Sequence, residues 1–260
     1  MRKRLKRILK KNLELALSKF GFHLIRRERY GSSRFKLNGF HYDIVVPYAN
    51  YAPWLGDEEF LKIHTAIQGN TLVDIYRCYE LWDIAEAIHK LDNTACFIEI
   101  GIWKGGTAAI VGRKLALLNS TVDFYLADTF TGVAKATDKD GSYFGGEHSD
   151  TSEEIVAVLL KDNYTHYKIL KGIFPEETAH VISSTQKFGY CHIDVDVYQS
   201  AKDIVDWIWE KMIVGGIIVF DDYGFKTCSG ITTYVNEQKT KTDRTIIHNL
   251  NGHAIMIKLR

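Results

Sequence analysis

Acidic residues follow two apolar segments in the second half of the chain. His192-Ile193 leads into Asp194-Val195-Asp196, and Ile217–Phe220 leads into Asp221-Asp222. If these segments are neighbouring strands of a parallel sheet, their carboxyl ends meet where such sheets bind ligands. Carboxylates held together raise one another's pKa unless a cation lies between them, and all-oxygen sites favour magnesium, manganese or calcium. We therefore expect three or four of these acids to hold a divalent ion; the alternative is that they are exposed helix caps.

A second chemical pattern is the glycine-rich segment that begins at Glu99. Residues 99–107 read Glu-Ile-Gly-Ile-Trp-Lys-Gly-Gly-Thr. Glycine lets the backbone turn sharply and approach a ligand, and the N–H groups at the start of a following helix point to the same place. The spacing differs from the Gly-x-Gly-x-x-Gly motif that binds a dinucleotide pyrophosphate. Because an acid before the first glycine suits a ligand with a cationic amino-acid end, the segment favours S-adenosylmethionine.

Asp128 provides the third pattern, an acid at the end of the apolar segment Val122–Ala127. A carboxylate at such a strand tip accepts hydrogen bonds from the two hydroxyls of a ribose. Dinucleotide enzymes share this feature, so Asp128 indicates a nucleoside site without choosing between the cofactors. Its alternative role is a helix cap.

Short apolar runs alternate with amphipathic segments from residue 95 onward, which is typical of a mostly parallel sheet. The predicted strands are 95–100, 122–127, 166–170, 189–194 and 217–220, and the predicted helices are 57–68, 72–91, 105–118, 152–162, 176–184, 199–211 and 229–238. Apolar runs at 245–250 and 253–259 flank Asn251-Gly252, a strong hairpin signal. We expect an α/β, Rossmann-like fold with N-terminal helices and a mostly parallel seven-stranded sheet that ends in an antiparallel hairpin.

Two local signals refine the element boundaries. Thr151 with Glu154 is the expected capping box of the helix that begins at 152. Gly215-Gly216 is the expected turn before the strand that begins at 217.

The net charge of +1 conceals an asymmetry along the chain. Residues 1–27 carry ten Lys or Arg and one acid, a charge of +9, so the rest of the chain carries −8. Apolar residues at helical spacing predict a basic amphipathic helix there, docked on an anionic membrane face or on protein, including a second copy in a homo-oligomer. The acidic body argues against a broad nucleic-acid surface. We divide the chain into this helix (1–27), an irregular and helical cap region (28–91) and a cofactor-binding domain (92–260).

Cysteine spacing and hydropathy indicate a cytoplasmic protein, and the membrane alternative for the basic helix 1–27 would place it peripherally at the inner membrane face. The four cysteines form no CxxC pair, so we expect small buried residues and neither a disulfide framework nor a zinc site. His or Cys at zinc-ligand spacing is also absent from the sequence. No apolar run approaches the roughly 20 residues of a membrane span, and no secretory signal is recognised.

Four segments of the chain resemble the macrocin O-methyltransferase (TylF/MycF/NovP) family, over roughly residues 70 to 240: Phe97–Gly106, Ala127–Gly132, Asp194–Ser200 and Asp221–Gly224. The resemblance implies the class I methyltransferase fold and transfer of a methyl group from S-adenosylmethionine to a sugar hydroxyl, with magnesium or manganese. It also implies two sets of site residues. The cofactor would contact Glu99, Gly101, Trp103, Gly105, Thr107, Asp128, Thr129 and Phe130, and the metal would bind Asp194, Asp221 and Asp222.

The sequence leaves the general base open. Catechol methyltransferases, a related metal-dependent group, place a lysine three residues after the first metal aspartate, and here that position is Val197. The remaining candidates are Asp196, Asp194 as a metal ligand, and His148 on the polar 131–150 loop. His192 we expect to be packed with its polar atoms satisfied. The loop itself either closes over the cofactor or is a surface excursion.

The leading functional hypothesis is a metal-dependent O-methyltransferase that acts on a sugar or a lipid-linked glycan. One alternative is a nucleic-acid methyltransferase that grips phosphate with its basic arm, although an Asn/Asp-Pro-Pro-Tyr motif is absent from the sequence. Another is a non-catalytic, membrane-associated nucleotide-binding protein. Thr71 and Arg77, which precede the first predicted strand, are expected either to roof the cofactor or to lie on an ordinary helix face.

Overall fold

A computed structural model describes residues 49–260 throughout, together with residues 13, 16, 17, 19, 35–37, 39–43 and 45. The chain divides into two compact units, residues 1–46 and 47–260. In the first unit, β1 (Phe35–Leu37) and β2 (Phe40–Tyr42) form a short antiparallel pair. Apart from four isolated positions, the amphipathic helix predicted within residues 1–27 lies outside the described residues.

The second unit is built on a sheet that has seven strands in the part of the chain that the structure describes. Its strands are β3 (Cys96–Ile100), β4 (Phe124–Asp128), β5 (Tyr167–Lys171), β6 (Phe188–Ile193), β7 (Met212–Phe220), β8 (Arg244–His248) and β9 (Ala254–Lys258). They lie in the order β5-β4-β3-β6-β7-β9-β8. The first five are parallel, and β9 and β8 add the antiparallel hairpin. The fold predicted from the sequence is confirmed.

Helices cover both faces of this sheet. They are α1 (Glu58–Ala66), α2 (Ile75–Leu91), α3 (Gly106–Leu117), α4 (Glu153–Leu160), α5 (Tyr198–Ile208) and α6 (Ser229–Gln238). Side chains alternate between the two faces of a strand, so each central strand supplies two cores. Ile98, Cys191 and Ile218 pack in the core on the α5 and α6 side. Phe97, with Tyr190, packs in the core that α1 to α4 cover.

Apart from the segment at 176–184, the helices and strands of the second unit lie where their local patterns predict, because apolar spacing matches the face that is buried. Ala201, Ile204 and Ile208 of α5 recur every three or four residues, and all are fully buried. All four cysteines are buried and unpaired, as expected. Among the described residues, none of the helices has both the length and the apolar composition that crossing a bilayer requires.

Three local expectations are wrong. The helix predicted at 176–184 is a single 3-10 turn at Ala179–Val181, where Val181 remains 59% exposed and little apolar surface is available to hold a longer helix. The cap of α4 is Ser152, which accepts a hydrogen bond from the Ile155 amide, whereas the Thr151 hydroxyl donates to the Trp103 carbonyl.

The third difference concerns Gly215-Gly216, which lies inside β7. The pairing of β7 with β6 is irregular there, and Gly215 has a left-handed φ of 81°. The terminal hairpin is confirmed, but β8 and β9 are joined by residues 249–253, with Asn251-Gly252 inside this longer loop.

Candidate active site

A cleft opens at the carboxyl ends of β3, β4, β6 and β7, at the position where such sheets bind ligands. Because these parallel strands are neighbours, the segments that follow them meet at one edge of the sheet. The cleft is lined by predicted site residues and by several that the sequence did not single out. They include Arg77, Gly101, Trp103, Thr107, Asp128, Thr129, Tyr143, His148, Asp194, Asp196, Asp221, Asp222 and Phe225.

Gly101 forms the sharp turn directly after β3. It has a φ of 89°, and a Cβ atom at this position would lie 1.8 Å from the Asp194 carbonyl oxygen. The Asp194 amide donates to the Ile100 carbonyl oxygen at 2.9 Å, so the two strand ends are joined here. Glycine is therefore required by both the backbone conformation and the close approach of the two chains. The turn brings the two predicted binding segments side by side.

Asp128 lies in the cleft opposite this turn. One carboxylate oxygen accepts from the Trp103 amide at 2.8 Å, and the other accepts from the Phe130 amide at 2.7 Å. Burial raises the pKa of Asp128 above its usual value, although these amide contacts oppose that effect. The carboxylate is thus held rigidly at the strand tip, as a contact to ribose hydroxyls requires.

The other predicted cofactor residues divide by position. Trp103, Thr107 and Thr129 line the cleft, whereas Gly105 and Phe130 do not. Gly105 is instead the left-handed cap at the start of α3 (φ 80°). The indole of Trp103 donates to Asp150 at 2.9 Å.

Glu99 is fully buried and does not line the cleft, and its contact with the cofactor stays a prediction. Its Oε1 accepts from the Thr107 hydroxyl at 2.6 Å, and its Oε2 has no hydrogen-bond partner among the described residues. Alternation along β3 explains the position, because Glu99 points with Phe97 towards α2 and α3, away from the cleft. Thr107 joins Glu99 to the lining of the cleft.

The three predicted metal ligands converge. One ligand oxygen from each of Asp194, Asp221 and Asp222 lies within 4.8 Å of the others. Burial and the neighbouring carboxylates raise the pKa of Asp194 and the pKa of Asp222 well above their usual values. Three acids in this arrangement repel one another, and an ion of charge +2 relieves that conflict. The donor set therefore fits a hard divalent cation.

Asp221 differs from the other two acids because two basic side chains lie close to it, whereas Arg77 lies farther from Asp222, at 3.8 Å. Nη1 of Arg77 lies 2.6 Å from its Oδ1, and Nε2 of His253 lies 2.9 Å from the same oxygen. Burial alone would raise the pKa of Asp221, but His253 and Arg77 outweigh it and lower that pKa to about 2. Asp221 therefore stays ionised beside two acids that resist ionisation. Arg77, for which the sequence left two roles open, lines the cleft and pairs with this acid.

Asp196 lies beside the same cluster. Its backbone is left-handed, with a φ of 63°. Its carboxylate accepts from the Tyr143 hydroxyl and has an oxygen within 4.8 Å of one of Asp222. Burial and this acid raise the pKa of Tyr143. A second grouping with metal-ligand geometry comprises Asp196, Asp222 and Cys228. Burial raises the pKa of Cys228, so its thiol stays protonated and is a poor ligand.

His148 also lines the cleft, where its ring lies 6.2 Å from the Trp103 ring, measured between centroids. The 131–150 loop that carries it is packed against the domain. Buried Asp140 accepts hydrogen bonds from the Tyr198 amide at the start of α5 and from the Thr137 amide, both at 2.7 Å. The loop therefore forms a wall of the cleft and is not a detached surface excursion, and its closure over a cofactor stays a prediction.

His192 contradicts the expectation of a satisfied histidine. It is fully buried, and neither ring nitrogen has a hydrogen-bond partner among the described residues. Its Nδ1 lies 3.6 Å from Glu99 Oε2, too far for a hydrogen bond. His192, Asp221 and His253 form a further grouping with metal-ligand geometry, which linear spacing did not indicate. This grouping shares Asp221 with the trio of acids described above.

Tyr143, Arg77 and His253 are the site residues whose roles the sequence missed. Arg77 and Asp221 are 144 positions apart, and no local pattern links them.

Fold and site together define a Rossmann-like, class I S-adenosylmethionine-dependent methyltransferase. A family model described as macrocin O-methyltransferase (TylF) matches residues 63–254. The chain belongs to this family and is an S-adenosylmethionine-dependent O-methyltransferase, as the resemblance of its motifs predicted.

Two proteins of known activity are similar in sequence. Demethyldecarbamoylnovobiocin O-methyltransferase of Streptomyces niveus is 24% identical over 189 residues, which cover 67% of this chain and 69% of the relative. The 8-demethyl-8-(2,3-dimethoxy-alpha-L-rhamnosyl)-tetracenomycin-C 4'-O-methyltransferase of Streptomyces olivaceus is 21% identical over 170 residues, or 61% of this chain and 64% of the relative.

Solved structures show the same fold. The O-methyltransferase NovP has a TM-score of 0.64 at 20% identity, with 74% of this chain and 83% of NovP covered. The calicheamicin methyltransferase CalS11 has a TM-score of 0.59 at 13% identity, with 81% and 94% covered.

Proposed function

We propose that this protein transfers the methyl group of S-adenosylmethionine to a hydroxyl of a sugar or glycan intermediate, with Mg²⁺ or Mn²⁺ held by Asp194, Asp221 and Asp222. The observation that carries the proposal is the convergence of these three acids in the same cleft as Asp128 and the Gly101 turn. A methyl donor bound along Asp128 would place its reactive end near the acids, at the neighbouring strand ends.

The acceptor class is proposed from the relatives. One similar protein is named for a rhamnosyl tetracenomycin, and CalS11 is also described as a TDP-rhamnose 3'-O-methyltransferase. A sugar offers neighbouring hydroxyls, and two such oxygens suit a site of three carboxylates and a divalent ion. A bound divalent ion supplies positive charge that lowers the pKa of a nearby hydroxyl.

The chain's own residues orient the reactants and accept the proton. Transfer requires the acceptor oxygen, the methyl carbon and the sulfur to lie in line, an arrangement that two ligands fixed in one cleft achieve. The oxygen forms a bond to the methyl carbon while the carbon–sulfur bond breaks and its electron pair stays on sulfur. We assign Asp196 as the acceptor of the hydroxyl proton, because its carboxylate lines the cleft beside the ligand trio and receives a hydrogen bond from Tyr143.

Labelled methyl transfer tests the proposal. The full chain would be incubated with methyl-tritiated S-adenosylmethionine and either nucleotide sugars, including TDP-rhamnose, or rhamnosylated small molecules. We expect label on a sugar with Mg²⁺, at least about a 10–100-fold loss with chelator or with Asp194→Asn, and full activity with the exposed control Asp162→Asn. Transfer that is unaffected by chelator would contradict the metal assignment, and label on added polynucleotide alone would contradict the acceptor class.

A further inference from the structure

Asp221 is contacted on a single oxygen by two buried side chains from distant parts of the chain. Arg77 of α2 and His253 of the β8–β9 loop lie 2.6 Å and 2.9 Å from Oδ1. The side chain of Arg77 is 7% exposed and that of His253 is fully buried. Both contacts are made with Oδ1, and the same guanidinium nitrogen lies 3.8 Å from Oδ1 of Asp222.

A second carboxylate, that of Asp74, orients the Arg77 side chain. Its Nε lies 2.9 Å from Oδ2 of Asp74, the residue that caps α2 by accepting from the Tyr76 amide at 2.9 Å. The Asn251 side-chain amide donates to the other oxygen of Asp74 at 3.0 Å. The guanidinium thus spans two carboxylates with different nitrogens, an arrangement that the single ammonium of lysine cannot reproduce.

His253 is fixed in the same way. Its Nδ1 lies 2.5 Å from Glu80 Oε2, which also accepts from the Asn249 side-chain amide at 2.9 Å. A carboxylate behind a histidine sets the tautomer and the orientation of the ring. The His253 ring therefore bridges Glu80 of α2 and Asp221 at the end of β7.

We propose that Arg77 and His253 are positioning residues that hold Asp221 in the orientation required for divalent metal binding. Neither residue contacts the methyl donor or the acceptor in this role; each acts through Asp221. The inference rests on the metal site of the proposed function. It goes further because it assigns a role in metal affinity to α2 and to the β8–β9 loop. Neither element carries one of the three proposed metal ligands.

Two possible roles of Arg77, charge neutralisation and orientation of Asp221, predict different changes in metal affinity when Arg77 is replaced. An arginine that merely neutralises Asp221 in place of a metal would compete with the ion, and its removal would strengthen metal binding. An arginine that orients Asp221 would weaken metal binding when its geometry is lost. Arg77→Lys keeps the charge and loses the two-sided contact, so it reports on geometry alone.

The experiment measures Mn²⁺ binding to the full chain by titration calorimetry and by the electron paramagnetic resonance signal of free Mn²⁺. We expect Arg77→Lys and His253→Gln each to lower Mn²⁺ affinity about 10–100-fold, with S-adenosylhomocysteine affinity unchanged. Glu80→Gln, which leaves His253 in place, gives a smaller loss and stands in for His253→Gln if that variant fails to fold. The controls are Arg113→Lys, whose arginine pairs with Glu59, and His248→Gln, an exposed histidine of the same hairpin.

The outcomes separate this inference from the proposed function. Mn²⁺ affinity that is unchanged or increased in Arg77→Lys and His253→Gln, with wild-type binding intact, overturns the positioning role alone. A wild-type chain that binds no Mn²⁺ overturns the metal site and the inference together. A loss in both variants and in neither control supports the inference.

Discussion

A carboxylate oxygen of Asp196 lies within 4.8 Å of one of Asp222, and both residues have left-handed backbones, with φ values of 63° and 61°. They follow the adjacent strands β6 and β7. Left-handed conformations cost an ordinary residue free energy and cluster at functional sites, and Asp is among the residues that tolerate them best. Trp103 and His148, with φ values of 45° and 62°, line the same cleft. Four of the eight non-glycine residues with positive φ among the described residues thus line this cleft.

The closeness of these two acids predicts that replacing Asp222 stabilises the metal-free protein and weakens its binding of metal. Asp222→Asn removes a charge from the cluster and keeps a side chain that tolerates a positive φ. We expect the metal-free protein to gain about 0.5–2 kcal/mol in free energy of unfolding, measured by urea denaturation with chelator present, and to lose Mn²⁺ binding. Asp162→Asn, on the exposed surface, is the control and should change neither. A destabilised Asp222→Asn variant would contradict the repulsion between these acids.

Metal affinity should depend on pH in a stated direction. The pKa values of Asp194 and Asp222 are raised above those of unfolded carboxyls, so both retain protons in mildly acidic solution. These raised values make the metal-free fold less stable as pH rises through them, and a divalent ion must displace the same protons. We expect Mn²⁺ affinity, and the increase in Tm that Mn²⁺ produces, to grow between pH 5.5 and pH 8. Affinity that is constant across this range would contradict the shifted pKa values.

The turn at Gly101 gives a test of packing with an internal control. Gly101 and Gly146 have similar φ values, 89° and 88°, but an added Cβ meets the Asp194 carbonyl at 1.8 Å in the first case and nothing within 4 Å in the second. Gly146→Ala should cost only the conformational strain, about 1 kcal/mol. Gly101→Ala should add about 1–3 kcal/mol of steric cost and weaken S-adenosylhomocysteine binding. Equal unfolding free energies for the two variants would be incompatible with the close approach.

Asp128 should contribute to cofactor affinity through its charge. Asp128→Asn keeps the size of the side chain but loses one of the two oxygens that accept the Trp103 and Phe130 amides. We expect S-adenosylhomocysteine affinity to fall at least about 10-fold by calorimetry, since hydrogen bonds to charged groups contribute about 1.5–3 kcal/mol. Asp123→Asn, which removes an acid paired with Lys168 near the opposite end of β4, is the matched control. Wild-type affinity in Asp128→Asn would remove this residue from the nucleoside site.

Tyr143 should affect turnover and leave donor binding unchanged. Tyr143→Phe removes the hydroxyl that is hydrogen-bonded to Asp196 and preserves the ring that packs against the core. We expect kcat to fall about 10-fold on the acceptor found by labelling, because the proton acceptor loses an orienting contact. The neighbouring Phe144, 86% exposed, provides the control variant Phe144→Ala. A change confined to the KM of the methyl donor would place Tyr143 in cofactor binding instead.

Much of this protein is determined locally and is therefore present in its sequence. The apolar runs of β3, β4, β6 and β7 can satisfy their backbones only inside a sheet, and the residues that follow them must emerge at its carboxyl edge. That constraint was sufficient to bring Asp128, Asp194, Asp221 and Asp222 into one cleft. Short polar segments carried less information: Ala179–Val181 has few apolar neighbours to hold a helix, and its predicted length was wrong.

Other features depend on which side chains the completed fold places opposite one another. Alternation along β3 turns Glu99 away from the cleft to which its motif belongs, and the packing of α2 brings Arg77 to an acid 144 residues away. His253 reaches the same carboxylate because β9 pairs with β7 in one particular register. The sequence by itself determined the fold, the methyl-donor motif and the acids at the strand ends, because each follows from local spacing. Only the tertiary structure decided the partners of those acids, because contacts between distant segments depend on how buried surfaces pack together.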